Sequence, residues 1–216
     1  MKLTKKHVDE ILDKLREEYP EAECALVHKN LYELIIAVVL SAQTTDKSVN
    51  KISDKLFEHY PTPYNLAEAR QEDVIDIIKT IGMYKTKSKN IIALAKELVS
   101  EYDGEVPGDY DELIKLPGVG RKTANVVLSN AFGVPALAVD THVFRVANRL
   151  KLTDSKDVLT SEQQLMALIP AEDWSSAHHW LIWHGRLFCK ARKPDCQRCK
   201  LHELCLSEEN SYKMIE

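Results

Sequence analysis

The chain has 216 residues, of which 44% are hydrophobic and 29% charged, values typical of a globular protein. A net charge of −4 argues only weakly against nucleic-acid binding, because such binding depends on where basic residues cluster. The most apolar stretch, Leu34 to Leu40, is far too short to span a bilayer, and the N-terminus lacks the apolar segment of a signal peptide. We therefore expect a cytoplasmic protein without membrane contact.

Apolar periodicity predicts an all-α protein, since no alternating apolar and polar run is long enough for a strand. Thr4 is placed to cap a first helix that Pro20 ends, and residues 31–42 form a helix that is apolar on nearly all sides. The other predicted helices lie near 49–57, 65–69, 72–80, 88–102, 109–116, 121–132, 143–150, 161–169 and 174–188.

The segment from Leu116 to Ala124, Leu-Pro-Gly-Val-Gly-Arg-Lys-Thr-Ala, predicts a hairpin between two short helices. Two glycines separated by one residue allow positive φ angles and expose backbone N–H groups at a helix N-terminus, where amides and the helix dipole attract an anion. Gly-x-Gly alone is more often an ordinary turn. The longer string indicates phosphate contact through Pro117, Gly118, Val119, Gly120 and Arg121.

Lys122 falls in the first turn of the helix after this hairpin, where the dipole disfavours a cation. It is either a solvated surface lysine or a nucleophilic amine whose pKa is lowered by the helix terminus and partial burial. Asp140 precedes an apolar-periodic helix and is either an N-cap, a catalytic carboxylate or both. The loop 133–139 spans about 23 Å when extended, enough to return along a helix of roughly 18 Å. We therefore expect Asp140 beside Lys122.

Four of the five cysteines, Cys189, Cys196, Cys199 and Cys205, have the spacing C-x6-C-x2-C-x5-C near the C-terminus. Four thiolates suit either zinc or a 4Fe-4S cluster, and the spacing alone does not choose between them. Disulfides are the less favoured alternative in an intracellular protein.

Two groups of basic residues offset the acidic net charge. Around the cysteines, Lys190, Arg192 and Lys193 lie in a loop too short for a core of its own, so their side chains should point outward. Lys85, Lys87 and Lys89 form a second group directly after Gly82-Met83-Tyr84.

Taken together, the 116–124 hairpin, the segment Val139-Asp140-Thr141-His142 and the four-cysteine spacing resemble the endonuclease III family of helix-hairpin-helix-GPD glycosylases. The similarity runs across nearly the whole chain and includes 41–46 and 81–84. It implies two helical domains with a DNA cleft between them. One would be a six-helix domain over residues 23–134, and the other would combine 1–22 with 135–216 and carry a 4Fe-4S cluster.

The resemblance also implies a bifunctional glycosylase and abasic-site lyase of base excision repair. Lys122 would form a Schiff base with assistance from Asp140, and the substrate would be double-stranded DNA with oxidised pyrimidines or abasic sites. Gln43 and Met83 would fill the gap left by the flipped base, although Gln43 could be a plain helix end and Met83 a core filler. Lys85 and His142 join the predicted DNA contacts. We expect a monomer, associated with the nucleoid when bound to DNA.

Two alternatives compete with this interpretation. Adenine- and thymine-mismatch glycosylases resemble the chain at Asp140 and the cysteines but lack a lysine at the position of Lys122. A non-enzymatic DNA-binding module would use the hairpin alone, which leaves Lys122, Asp140 and the cysteines unexplained.

Overall fold

The computed structural model describes residues 3–207, and the regular secondary structure in that range is helical, as predicted. Its helices are α1 (Lys5–Glu18), α2 (Leu31–Ser41), α3 (Asp46–His59), α4 (Pro63–Ala67), α5 (Gln71–Ile78), α6 (Tyr84–Glu101), α7 (Tyr110–Leu113), α8 (Arg121–Ala131), α9 (Thr141–Arg149), α10 (Val158–Leu168) and α11 (Trp174–Leu187). No helix within 3–207 is long and apolar enough to cross a lipid bilayer.

The chain divides into two compact units, residues 24–134 and residues 1–23 with 135–216. The 24–134 unit holds α2 to α8. Its centre is α2, in which every residue from Leu34 to Leu40 is buried, as the all-round apolar pattern predicted. Helices α3, α6 and α8 pack against α2, so the hairpin before α8 and the start of α6 are fixed to the same central helix.

The other unit is built from α1, α9, α10 and α11. Thr4 caps α1 by accepting a hydrogen bond from the His7 amide at 3.3 Å, which confirms the predicted start. The apolar face of α1 packs with α9 and α11 into one core. Its buried members include Val8, Ile11, Leu12, Leu15, Val143, Val146, Leu150, Leu165 and Leu181.

Helix α6 begins at Tyr84, four residues before the predicted start at 88. The polar run Lys85-Thr86 hid its first turn, because apolar periodicity becomes visible only from Ser88 onward. Met83 is the N-cap residue in the left-handed region, with φ 56° and ψ 29°. The predicted turn at 82–84 therefore ends at Met83, and the basic residues that follow it are helical.

Candidate active site and nucleic-acid interface

The hairpin before α8 contains two glycines, and only the first is required to be glycine by its backbone conformation and its neighbours. Gly118 has φ +80°, and a Cβ there would lie 3.1 Å from both Val39 of α2 and Asn90 of α6. Only glycine fits this close approach without strain. Gly120 has an ordinary φ of −103°, and a Cβ there would meet nothing within 4 Å. Close packing therefore explains why residue 118 is a glycine, whereas residue 120 faces open space and no packing contact requires a glycine there.

Gly120 is the N-cap of α8, and because glycine has no side chain, the cap residue makes no side-chain hydrogen bond to this N-terminus. The first turn therefore presents backbone N–H groups and the positive end of the helix dipole, the arrangement that binds phosphate. Arg121 is exposed, and its guanidinium lies over the ring of Tyr110 at 5.8 Å from the centroid. Val119 differs from the prediction: its side chain is buried and its N–H donates to the Leu116 carbonyl at 3.0 Å, so it supports the hairpin.

Lys122 is the second residue of α8, as predicted, and its side chain is exposed. The expected partial burial is wrong, because the buried face of the helix begins only at Thr123. An exposed amine at an uncapped helix N-terminus gains neither a carboxylate partner nor a favourable dipole from this unit. The position is therefore poor for stability.

Asp140 is the N-cap of α9. Its Oδ1 accepts hydrogen bonds from the amides of His142 and Val143, both at 2.8 Å, which confirms the predicted cap. Both bonds end on Oδ1, so Oδ2 takes no part in capping. The cap thus fixes the orientation of a half-buried carboxylate. Lys122 and Asp140 belong to different units, and their pairing stays a prediction.

His142 follows Asp140 and is half-buried. Its Nδ1 lies 3.1 Å from a guanidinium nitrogen of Arg145, and the ring also makes a hydrogen bond with the Gly185 backbone. Burial lowers the pKa of His142 below its ordinary value. The neutral form of the ring is therefore favoured, in which one nitrogen donates and the other accepts.

Gln43 and Met83 lie in two turns of the 24–134 unit. Ala42 has φ −55° and ψ 117°, Gln43 has φ 53°, and the Thr44 amide donates to the Ser41 carbonyl at 3.0 Å, which defines a type II turn. That position normally requires glycine or asparagine. Gln43 is exposed beyond the end of α2, and Met83 is 48% exposed, so the core-filler interpretation of Met83 is wrong. Both side chains are presented to solvent from left-handed backbone.

The three lysines at the start of α6 do not share one surface. Lys85 and Lys89 are exposed, but Lys87 is only 3% exposed. Its ammonium donates a 2.6 Å hydrogen bond to Thr44 Oγ1, and burial lowers its pKa. The prediction that Lys87 belongs to a surface basic group is therefore wrong, because residues two apart on a helix face different directions.

The four cysteines of the C-terminal motif line one small pocket of about 30 Å³ that is partly open to solvent. None forms a disulfide. Within residues 3–207, no group of three or more His, Cys, Asp or Glu side chains is arranged to hold a metal ion. The remaining lining is mostly apolar or basic and includes Arg149, Leu150, His184, Phe188, Pro194 and His202.

Several donors point at the sulfur atoms in this pocket. The Leu201 amide lies 3.4 Å from Cys199 Sγ, and Arg149 lies 3.6 Å from Cys189 Sγ. Buried His184 bridges the Tyr19 hydroxyl, 3.0 Å from Nδ1, and Cys199 Sγ, 3.5 Å from Nε2. Such donors stabilise thiolates bound to metal. The donor set, four thiols in one pocket with N–H donors to sulfur, therefore has the chemistry for a thiolate-bound group, although the described side chains are not gathered around a single metal ion.

Helix α9 holds the basic loop after Cys189. Arg145 Nε donates to the Cys189 carbonyl at 3.0 Å, and Arg149 donates to the carbonyls of Lys190 and Ala191 at 2.6 and 3.3 Å. These two arginines were not among the residues predicted from the sequence. They are four residues apart, a spacing that places both on one face of α9 and indicates a shared contact. The side chains of Lys190, Arg192 and Lys193 are exposed as expected.

Comparisons with known proteins identify the family of this chain. Residues 36–171 match the model of the HhH-GPD superfamily base excision DNA repair proteins. The chain is 52% identical to endonuclease III of Bacillus subtilis over 204 residues, which covers 94% of this chain and 93% of the relative. It is also similar to the structure of a non-covalent endonuclease III–DNA complex, with a TM-score of 0.93, 50% identity and 99% and 100% of the two chains covered. A trapped endonuclease III–DNA covalent intermediate gives a TM-score of 0.92 at 50% identity, with the same coverage.

Proposed function

Since the chain belongs to the HhH-GPD superfamily of base excision DNA repair proteins, we propose that it excises oxidised pyrimidines from duplex DNA and cleaves the strand through Lys122. The observation that carries this proposal is an exposed amine in the first turn of α8, directly after a hairpin suited to phosphate. Lysine at this position favours the bifunctional enzyme over a mismatch-specific glycosylase. In a purely DNA-binding module this amine would be one more phosphate contact, whereas the family match is to base excision DNA repair proteins.

In the proposed reaction, Lys122 Nζ attacks C1′ of the damaged nucleotide, and the bond from C1′ to the base breaks with its electron pair leaving on the base. Opening of the sugar at the C1′–O4′ bond then gives a protonated imine between Nζ and C1′. Removal of a C2′ proton breaks the C3′–O3′ bond, so the strand is cleaved 3′ to the abasic site by β-elimination. Base removal requires the nucleotide to leave the stack.

Asp140 would act on the same sugar through its carboxylate. The amides of His142 and Val143 hold Oδ1, so the group has a fixed orientation and keeps Oδ2 for a proton or a developing positive charge. A carboxylate beside the attacking amine would accept its proton and stabilise the oxocarbenium character of C1′. We therefore assign Asp140 as the proton relay.

DNA would be held at several points on the two units. Gly118, Gly120 and Arg121 offer backbone amides and one cation at the start of α8, with Pro117 stiffening the entry. Lys85, Lys190, Arg192 and Lys193 are exposed cations, and His142 offers an N–H donor. We propose a monomer in which each unit is a domain and double-stranded DNA is the partner.

Gln43 and Met83 would fill the space left by the flipped base. Both leave the protein surface from turns with positive φ, where their side chains are exposed and their backbones are constrained. Methionine is flexible and apolar, so it suits insertion between bases of varied shape. Gln43 adds donors and an acceptor for the estranged base.

The exposed cap of α8 gives a test of phosphate binding. We expect Gly120→Ser to raise the free energy of unfolding by a few tenths of a kcal/mol, because serine caps a helix better than glycine. The same hydroxyl would occupy an amide that a phosphate needs, so duplex affinity should fall roughly tenfold, about the worth of one hydrogen bond to a charged group. Urea unfolding and fluorescence anisotropy at fixed salt measure both. If Gly120→Ser were stabilised but bound duplex DNA with the wild-type affinity, the proposed phosphate contact at this helix N-terminus would be wrong.

We propose that Cys189, Cys196, Cys199 and Cys205 hold a 4Fe-4S cluster. The shared pocket and the donors to sulfur support four-thiolate ligation, and all ligands would come from this chain. When bound, the cluster would supply a rigid frame for the basic loop 190–195. The substrate chemistry above involves none of these residues.

Protein purified without air should absorb broadly at about 400 nm, as thiolate-bound iron–sulfur clusters do. Cys199→Ser should lose most of this absorbance and the matching iron and sulfide, whereas Cys24→Ser, outside the motif, should keep them. Colourless protein with one equivalent of zinc would overturn the cluster assignment.

A further inference from the structure

Lys87 is a buried lysine that the proposed chemistry does not use. Its side chain is 3% exposed, and Thr44 Oγ1 is the hydrogen-bond partner that the described residues provide, at 2.6 Å. An ammonium has three donors and is costly to remove from water. Burial with one neutral hydroxyl partner is therefore an expensive use of a lysine.

The bond joins the two turns that carry the exposed side chains. Thr44 directly follows Gln43 and closes its type II turn, because the Thr44 N–H donates a hydrogen bond to the Ser41 carbonyl. Lys87 lies one helical turn after Met83, and its amide donates to the Met83 carbonyl at 3.0 Å. One side-chain hydrogen bond thus links the Gln43 turn to the N-terminus of α6.

Stability alone does not account for this pair. A buried polar pair can often be replaced by apolar residues of similar volume without loss, whereas removal of one partner leaves the other unsatisfied. Val39 and Asn90 already pack around Gly118, so α2 and α6 are held together without the bond. What the bond adds is a fixed spacing between two solvent-exposed turns.

We propose that the Lys87–Thr44 hydrogen bond is a positioning device that sets Gln43 and Met83 at a fixed separation, so that both side chains enter the duplex together. This inference rests on the proposed wedge function of these two residues. Lys87 and Thr44 touch neither DNA nor the reacting sugar in this scheme. They act through the turns that they join.

The experiment compares Lys87→Met, Thr44→Val, the double variant and Thr44→Ser with the wild type. Lys96→Met is the matched control, because Lys96 is an exposed lysine of the same helix. Three readouts are needed: single-turnover excision of thymine glycol from duplex DNA, cleavage of single-stranded abasic DNA, and fluorescence of 2-aminopurine placed opposite a tetrahydrofuran abasic analogue. Urea unfolding is measured for each protein.

Lys87→Met and Thr44→Val should each slow duplex excision roughly tenfold or more, as expected for a misplaced positioning group, and should weaken the 2-aminopurine response. Cleavage of single-stranded abasic DNA should stay at the wild-type rate, because no base has to be replaced there. Thr44→Val should lower the unfolding midpoint and the double variant should restore it, yet excision should remain slow. Thr44→Ser keeps the hydroxyl and should behave as the wild type.

Duplex excision and 2-aminopurine responses equal to those of Lys96→Met would overturn the positioning role. So would recovery of excision in the double variant together with its stability, because the pair would then be purely structural. A wild type that neither excises thymine glycol nor cleaves abasic DNA would instead overturn the proposed function. The two failures are therefore distinguishable.

Discussion

Lys122→Ala should abolish covalent trapping of the protein on thymine-glycol DNA by borohydride, because no other amine is assigned to attack C1′. Strand cleavage at abasic sites should fall to the background rate of the uncatalysed reaction. Lys122→Arg should fail equally, since a guanidinium stays protonated at neutral pH and is no nucleophile. Because arginine keeps the positive charge, Lys122→Arg should still bind DNA, so its loss of activity can be attributed to the missing nucleophile.

The same substitution should not harm the fold. Lys122 is exposed in the first turn of α8, where a positive charge opposes the helix dipole by about 0.3–1 kcal/mol. Lys122→Ala should therefore unfold at an equal or slightly higher urea concentration than the wild type. An inactive but stabilised variant is the expected sign of a residue kept for function.

Lys55→Ala is the control for this series, because Lys55 is an exposed lysine on α3. It should trap and cleave as the wild type does. Trapping that persists in Lys122→Ala would move the nucleophile to another amine: the lyase activity would stand, and its assignment to Lys122 would be wrong.

Local signals predicted most of the fold. The apolar spacing of Val8, Ile11 and Leu15 and the cap at Thr4 defined α1 correctly, and the all-round apolar pattern identified α2 as buried. These features depend on residues close in sequence. The start of α6 was missed because its first turn is polar and follows a left-handed Met83 rather than a conventional cap.

Side-chain partners across the chain were harder to predict. The Lys87–Thr44 bond joins residues 43 positions apart, and no periodicity distinguishes a buried lysine from its exposed neighbours Lys85 and Lys89. The expected partial burial of Lys122 failed for a similar reason, since exposure depends on what packs around α8. Asp140 was predictable as a cap because the cap bond spans only two to three residues.

The second large effect on activity is expected at Asp140, because substitutions can separate its role as a helix cap from its role as a proton relay. Asparagine caps a helix as well as aspartate does, so Asp140→Asn should keep the bonds to the His142 and Val143 amides and the free energy of unfolding. It loses the carboxylate charge and its proton affinity. Excision of thymine glycol should therefore fall by about 10²- to 10⁴-fold, the usual worth of a positioned acid or base.

Asp140→Ala removes both roles. It should lose activity to the same extent and about 1 kcal/mol of stability, the typical cost of a missing N-cap. Asp157 provides the matched control in the same unit, since it caps α10 with a 2.8 Å bond from the Thr160 amide. Asp157→Ala should lose similar stability and keep full excision. If Asp140→Asn excised at the wild-type rate in a single-turnover assay, Asp140 would be a cap alone, and the proton relay would have to be sought in another carboxylate.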